Sequence, residues 1–336
     1  MKQQMRIKTT FKKPHIHFSI PPPKVFKSKK DYDRSLQKNS DVWQYERTEG
    51  EEMSKDSMKV IFQKTDMDTC LTALILQVDL SDEIAFARKG GTNEELLDPN
   101  VLCIEAGGSG MVEKNNYDHH DPNRYFPPAC KQALNRISDL PDDTLTRLVE
   151  YVCMVDEAIP ILPPVAFPSL SNIFSGMLLV ETDPMVQLLA GMQILKTVWD
   201  NRLDPFASIP ERQEWAVYIT AKMLNQREIE ADLKNARILA SDSGIQMAYL
   251  ESKHIGGIGA CYHQGCQVVI LFNPVFGNPP MRKFTIAGNK TRVGHLKKYF
   301  DAVEPGWGGR DTILGSPWTG SNLPEEIVIQ IVQQHL

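Results

Sequence analysis

Lys59-Val60-Ile61-Phe62-Gln63-Lys64-Thr65-Asp66-Met67-Asp68-Thr69 runs directly into Cys70-Leu71-Thr72-Ala73-Leu74-Ile75-Leu76-Gln77-Val78. Val60–Phe62 is a short apolar run of the type that forms a strand, and Cys70–Val78 has the composition and length of a helix. The polar link between them puts Asp66 and Asp68 at the carboxyl end of the strand. Ligand sites form at that place in open α/β sheets. Taken alone, two such residues are equally suited to a turn or a helix cap.

The same alternation continues outward. Apolar runs at Ile84–Ala87 and Val101–Ile104 are separated by helical patterns, which predicts parallel strands joined by crossover helices. The second run ends in Glu105 and the loop Gly107-Gly108-Ser109-Gly110. Residues 129–159 read as largely helical, and Thr144–Ala158 places Leu145, Leu148, Val149, Val152 and Cys153 on one face, with Asp156 just past it. Residues 184–240 are again helical, with Pro184 and Pro210 near helix starts. Their polar stretch around 211–240 reads as a connecting helix. Beyond Asp242 come strands (245–250, 267–272, 283–287) and two helices (about 294–302 and 324–335) flanking a glycine-rich loop. The expected fold is α/β: a parallel-sheet domain over 58–185, a helical linker over 186–242, and a smaller α/β C-terminal domain over 243–336. No internal repeat is visible.

Composition narrows the function classes. At 336 residues the chain has room for two ordinary domains and a tail. No apolar run approaches the ~20 residues of a membrane span, and the first residues lack the apolar core of a secretory signal. Six scattered cysteines read as reduced thiols, which predicts a cytoplasmic protein without a membrane partner. The net charge of −5 conceals an asymmetry: residues 1–57 carry +5 and the rest −10, and residues 1–30 contain no acid at all. With Pro21-Pro22-Pro23 and little apolar periodicity, residues 1–57 read as a solvated, disordered extension. Contact with a nucleic acid or another polyanion is the alternative.

The residues with most chemistry are Asp118-His119-His120, between Tyr117 and Asp121. They join Asp66, Asp68, Glu105 and Asp156 as a series of carboxylates and imidazoles at element ends. In this order and spacing the chain resembles the DHH phosphoesterase superfamily, whose relatives include RecJ-type exonucleases, nano-RNases, exopolyphosphatases and family II pyrophosphatases. The resemblance covers residues 58–160 well. It continues less specifically over 245–336, where Gly306-Trp307-Gly308-Gly309-Arg310 is similar to the phosphate-contacting motif of the DHH-associated C-terminal domain.

The resemblance implies one or two Mn²⁺ or Mg²⁺ ions, for which carboxylate and imidazole are suitable ligands. It implies Asp66 at one metal, Asp68, His119 and Asp156 at the other, and Glu105 bridging them. His120 would contact the substrate phosphate, Asp118 would orient an imidazole, and Gly308, Gly309 and Arg310 would bind substrate. Two positions depart from the family pattern. Lys64 stands where an imidazole or carboxylate is usual, and Glu105 where Asp is usual. Phe62, the alternative position for the missing imidazole, cannot ligate a cation either. Lys64 therefore either weakens the first metal position or replaces its charge and holds a phosphate oxygen directly.

The expected activity is metal-dependent, nuclease-like hydrolysis of a phosphodiester or phosphomonoester in a short nucleotide or oligonucleotide. Two alternatives remain: a catalytically weak phosphate- or nucleotide-binding regulatory module, and a pyrophosphatase or exopolyphosphatase of the same superfamily. Lys290 and Arg292 could add charge to the cleft, and Trp307, Trp318 or Tyr262 could stack on bases or simply pack. Cys261-Tyr262-His263-Gln264-Gly265-Cys266 offers too few ligands for a structural zinc site and reads as part of a hairpin.

Overall fold

The computed structural model describes residues 57–121, 123–137 and 142–336. The basic extension, Ser57 aside, lies outside them. Strand β1 (Lys59–Phe62) buries Val60, Ile61 and Phe62 almost completely. Side chains alternate across a strand, so burial of all three means that both faces are covered, as in an inner strand of a parallel sheet. β2 (Glu83–Phe86) and β3 (Val101–Ile104) pair with β1 in parallel, and β4 (Asn116–Tyr117) pairs with β3, giving the order β2-β1-β3-β4. Phe62 lies opposite both Phe86 and Ile104, and Ile104 lies opposite Tyr117. The four strands thus end in line, and whatever follows them emerges at one edge.

Helix α1 (Met67–Ile75) follows β1 and is capped by Asp66, whose carboxylate accepts from the Thr69 amide at 2.9 Å. The short α2 (Asn93–Leu97) precedes β3, and its Leu96 packs with Ile61, Val101, Cys103 and Ala106 on one sheet face. On the other face, α3 (Ala129–Arg136), α4 (Asp143–Asp156), α5 (Leu170–Val180) and α6 (Pro184–Asp200) build the larger core around Val60, Phe62 and Leu71. The apolar face expected for α4 is buried through Leu145, Leu148, Val149 and Val152. Asp156 is the last residue of that helix.

Helix α7 (Ala216–Leu233) buries only Ile229, as suits a polar connecting helix. It is shorter than the helical linker expected to reach residue 242. At Arg237 the chain enters β5 (Arg237–Ala240), which pairs antiparallel with β6 (Gln246–Glu251) across a turn containing Gly244. Three of the four β5 residues are exposed, so the strand has little apolar pattern to distinguish it from a helix end. A second, six-stranded sheet follows with β7 (Val268–Phe276), β8 (Met281–Gly288), β9 (Gly308–Arg310) and β10 (Ile313–Gly315), in the order β5-β6-β7-β8-β10-β9. Only β6 and β7 pair in parallel, through the crossover helix α8 (Gly257–His263).

That helix corrects the hairpin reading of Cys261–Cys266. Cys261 and Cys266 are buried with Leu250, Ile258 and Val269 and serve packing. The other face of the sheet is covered by α9 (Lys297–Val303) and α10 (Glu325–His335). Trp307 is buried there, stacked on Phe284 and Phe300, and is not available to a base. Among the described residues all six cysteines are free, and no helix is long and apolar enough to cross a membrane.

Candidate functional site

The aligned strand ends deliver Lys64 and the α1 carboxylates after β1, Lys89 after β2, Glu105 after β3 and Asp118-His119-His120 after β4. The last residue of α4 adds Asp156. One ligand atom each from Asp68, Glu105, His119 and Asp156 falls within 4.8 Å of the others. Glu105, His119 and His120 form a second, overlapping group of the same compactness. Asp66 belongs to neither group.

Asp68 is buried at the N-terminus of α3, where its two oxygens accept from the Ala129 and Cys130 amides, both at 2.8 Å. Burial first, and then the Glu105 charge, push its pKa up to about 7. Glu105 is fully buried with φ 50°, in the left-handed region, and this turn lets its two oxygens serve different partners. Oε2 accepts from the Thr69 hydroxyl at 3.0 Å and lies 3.0 Å from the Lys64 ammonium, while Oε1 lies 3.0 Å from His119 Nε2. Burial opposes its ionisation, but His119 and Lys64 prevail and hold its pKa near 2. The Glu105 carboxylate, working against burial and aided by Asp156, raises the His119 pKa to about 9. Asp156 Oδ2 is 3.3 Å from the same His119 Nε2, and burial raises its own pKa.

One detail of this cluster is diagnostic. Glu105 Oε1 and His119 Nε2 are buried and close, yet they do not align as a hydrogen bond, and neither has another hydrogen-bond partner. Buried polar atoms are normally satisfied. Two ligand atoms 3.0 Å apart that face a common point, with two further carboxylates around it, suit a hard divalent cation bound by oxygen and one imidazole. The residues present therefore fit a metal ion.

Asp118 has a different setting. Its carboxylate accepts from the Gly107 amide at 3.0 Å, the Ser109 hydroxyl and the His120 amide at 2.7 Å, so it braces the glycine loop against the His pair. Burial opposes its charge, but these bonds and His120 hold its pKa below the usual carboxylate range. The His120 ring itself lies 3.8 Å from Asp118, a charge contact and not a hydrogen bond. Lys64 Nζ sits 2.6 Å from Asp66 Oδ2 in addition to its Glu105 contact. Burial lowers its pKa, yet the two carboxylates outweigh that and set it above the ordinary lysine value.

Lys64 and His120, both in contact with Glu105, line a cleft of about 710 Å³ together with Lys89, Ser109, Asn123 and Arg310. Arg310 comes from β9 of the second sheet, so both sheets contribute. Gly308 and Gly309, expected at the substrate, are not in the lining. Gly309 meets a packing need: its φ is 154°, and a Cβ there would lie 2.1 Å from the Ile313 carbonyl oxygen on the paired β10. Lys290 and Arg292 do not line the cleft either, and Arg292 pairs with Asp311 at 3.7 Å. Lys89 was not singled out in the sequence. Its signal is the position after β2, equivalent to that of Asp66 and Glu105 after their strands.

No family model and no curated protein matches this chain significantly. Among solved structures, a pGpG-specific phosphodiesterase, PggH from Vibrio cholerae, superposes with a TM-score of 0.53 at 13% identity, over 82% of this chain and 96% of that one. This chain shares the fold of that solved structure. A solved DHH domain, described as coming from a member of a ribosomal protein family, aligns over 82% of this chain and 86% of its own, at 11% identity and a TM-score of 0.40. The α/β architecture expected from the sequence is the one observed, with a four-stranded parallel sheet followed by a second sheet.

Proposed function

We propose that this chain is a metal-dependent phosphoesterase, acting in the cytoplasm on a phosphodiester of a short nucleotide or oligonucleotide. The observation that carries this reading is the orphaned pair Glu105 Oε1 and His119 Nε2, with Glu105 in contact with Lys64 and His120, which line a cleft together with Lys89 and Arg310. Asp68, Glu105, His119 and Asp156 would hold a divalent cation, Mn²⁺ or Mg²⁺. Such an ion, when bound, supplies Lewis-acid polarisation of the phosphoryl group and makes water a competent nucleophile near neutral pH.

The chain's own residues do the rest. Lys89 and Arg310, both in the cleft lining, receive phosphate oxygens, with Arg310 able to bind two at once. Asp118 keeps the Gly107–Ser109 wall in place and, with Glu105, faces His120 Nδ1 at 3.8 and 3.7 Å. The His120 ring lines the cleft, where it can meet the substrate phosphate. In the overall reaction water adds to phosphorus, the bond from phosphorus to the leaving alcohol breaks, and the departing oxygen takes up a proton.

A cleft of about 710 Å³ is within the usual range of ligand pockets and larger than pyrophosphate requires. This favours a substrate carrying a base and sugar over the pyrophosphatase alternative. The linear dinucleotide pGpG, substrate of the structural neighbour, is the natural first probe. Incubation of the full chain with pGpG, pApA, bis(p-nitrophenyl) phosphate and pyrophosphate, each with Mn²⁺ or Mg²⁺, tests the proposal. Mononucleotide release that stops in Asp68→Asn and His119→Ala is expected. Tight dinucleotide binding without turnover under every metal would instead establish the binding module.

A further inference from the structure

Glu105 faces two ways. Its Oε1 lies 3.0 Å from His119 Nε2, and one ligand atom each from Glu105, Asp68, His119 and Asp156 lies within 4.8 Å of the others. Its Oε2 looks towards Asp66. The overlapping group Glu105, His119 and His120 shares two members with the first, so a separate second cation that uses Asp66 would have to lie between Glu105 Oε2 and Asp66 Oδ2. That place is filled by Lys64 Nζ, at 3.0 Å from the first oxygen and 2.6 Å from the second. Asp66 joins no candidate ion group among the described residues. Its other oxygen is committed to the Thr69 amide that starts α1.

We infer that this chain holds one divalent cation, at Asp68, Glu105, His119 and Asp156, and that the Lys64 ammonium is the built-in second cation of the site. Lys64 lines the cleft. An ammonium has three N–H donors. Two face Asp66 and Glu105, and the third donates to a non-bridging phosphate oxygen of the bound substrate. A lysine in this position cannot be washed out, exchanged or titrated with metal concentration. Metal dependence therefore follows a single binding site. The phosphate contact rests on the phosphoesterase reading above, whereas the metal count does not.

The test is a Mn²⁺ titration of the chelator-treated full-length chain, followed by the free-ion EPR signal and by elemental analysis after desalting. The expected break is at about one ion per chain, without the spin coupling of a pair ~3.5–4 Å apart. Lys64→His replaces the ammonium with a ligand and is expected to take up a second, coupled Mn²⁺. Lys64→Met is expected to retain one ion but to bind substrate about tenfold more weakly, the loss of one charge-assisted contact. Two ions in the wild type, or none, would overturn the inference. A Lys64→His chain that still binds only one ion would remove Lys64 from the second position. A chain binding one Mn²⁺ but cleaving no phosphoester would defeat the proposed function and leave the one-ion site standing, and cleavage with two ions would do the reverse.

Discussion

Glu105 concentrates the chemistry of this protein in one side chain. Its left-handed φ of 50° is a conformation that non-glycine residues seldom adopt, at a cost of order 1–3 kcal/mol. In return the carboxylate reaches Thr69, Lys64 and His119 together. Lys64 beside it imposes a charge limit. Two unit charges ~4 Å apart at an effective dielectric of ~20 repel by about 4 kcal/mol, and a dication doubles that. A second metal ion next to the ammonium is disfavoured on electrostatics as well as on space. Lys89 acts at greater reach, on the cleft wall. Its turn depends on Gly90, whose φ is 82° and where a Cβ would lie 2.6 Å from the Ala106 carbonyl oxygen. Lys89→Ala is expected to raise KM about tenfold with kcat nearly unchanged, because it removes one phosphate contact made equally in ground and transition states. Steady-state kinetics on the cleaved dinucleotide check this, and a fall in kcat alone would place Lys89 nearer the reacting phosphorus.

Among the elements, α4 matters most because it carries Asp156 at its last residue while its start is anchored by Asp142. The Asp142 side chain accepts from the Leu145 amide at 2.7 Å and from the Trp199 indole at 2.9 Å, which ties α4 to α6. The Trp199 bond is the main cause of its lowered pKa. A carboxylate whose folded pKa is depressed adds stability above its unfolded pKa near 4 and loses it as pH falls through the folded value. Asp142→Ala is therefore expected to cost about 1 kcal/mol at pH 7, seen as a Tm lower by about 2 °C. The difference from wild type should narrow below pH 4 in thermal melts, and a constant gap down to pH 2.5 would show that the carboxylate charge plays no part. Elements with strong apolar patterns, β1, β3 and α4, were legible from the sequence. Elements without one, β5 and α8, were not. β5 is mostly exposed at a sheet edge, and α8 is a two-turn crossover whose single cysteine and two glycines carry no helical signature of their own.

For the whole molecule, the decisive feature is a cleft lined by Lys64 and His120, which contact Glu105 of the candidate ion group, and by Arg310 from the second sheet. Arg310→Ala is expected to weaken substrate binding by tenfold or more, as loss of a charged hydrogen bond costs about 1.5–3 kcal/mol, and to leave Mn²⁺ content unchanged. Isothermal titration with a non-hydrolysable dinucleotide, paired with elemental analysis, separates the two effects. A loss of bound metal in this variant would mean that the second sheet supports the ion site itself. The strand-to-helix alternation, the placing of Asp66, Asp68, Glu105 and the DHH triplet at strand ends, and the anomaly of Lys64 were all present in the linear order of residues. They were present because period and spacing are local properties that a strand or helix expresses wherever it folds. Two matters were decided by the tertiary structure alone: that Lys64 lies between Asp66 and Glu105, and that Lys89 and Arg310 share a cleft while Gly309 serves β9–β10 packing. Each depends on the parallel register that brings four strand ends level and on the packing of helices behind them, and distances across a sheet are not encoded in distances along a chain.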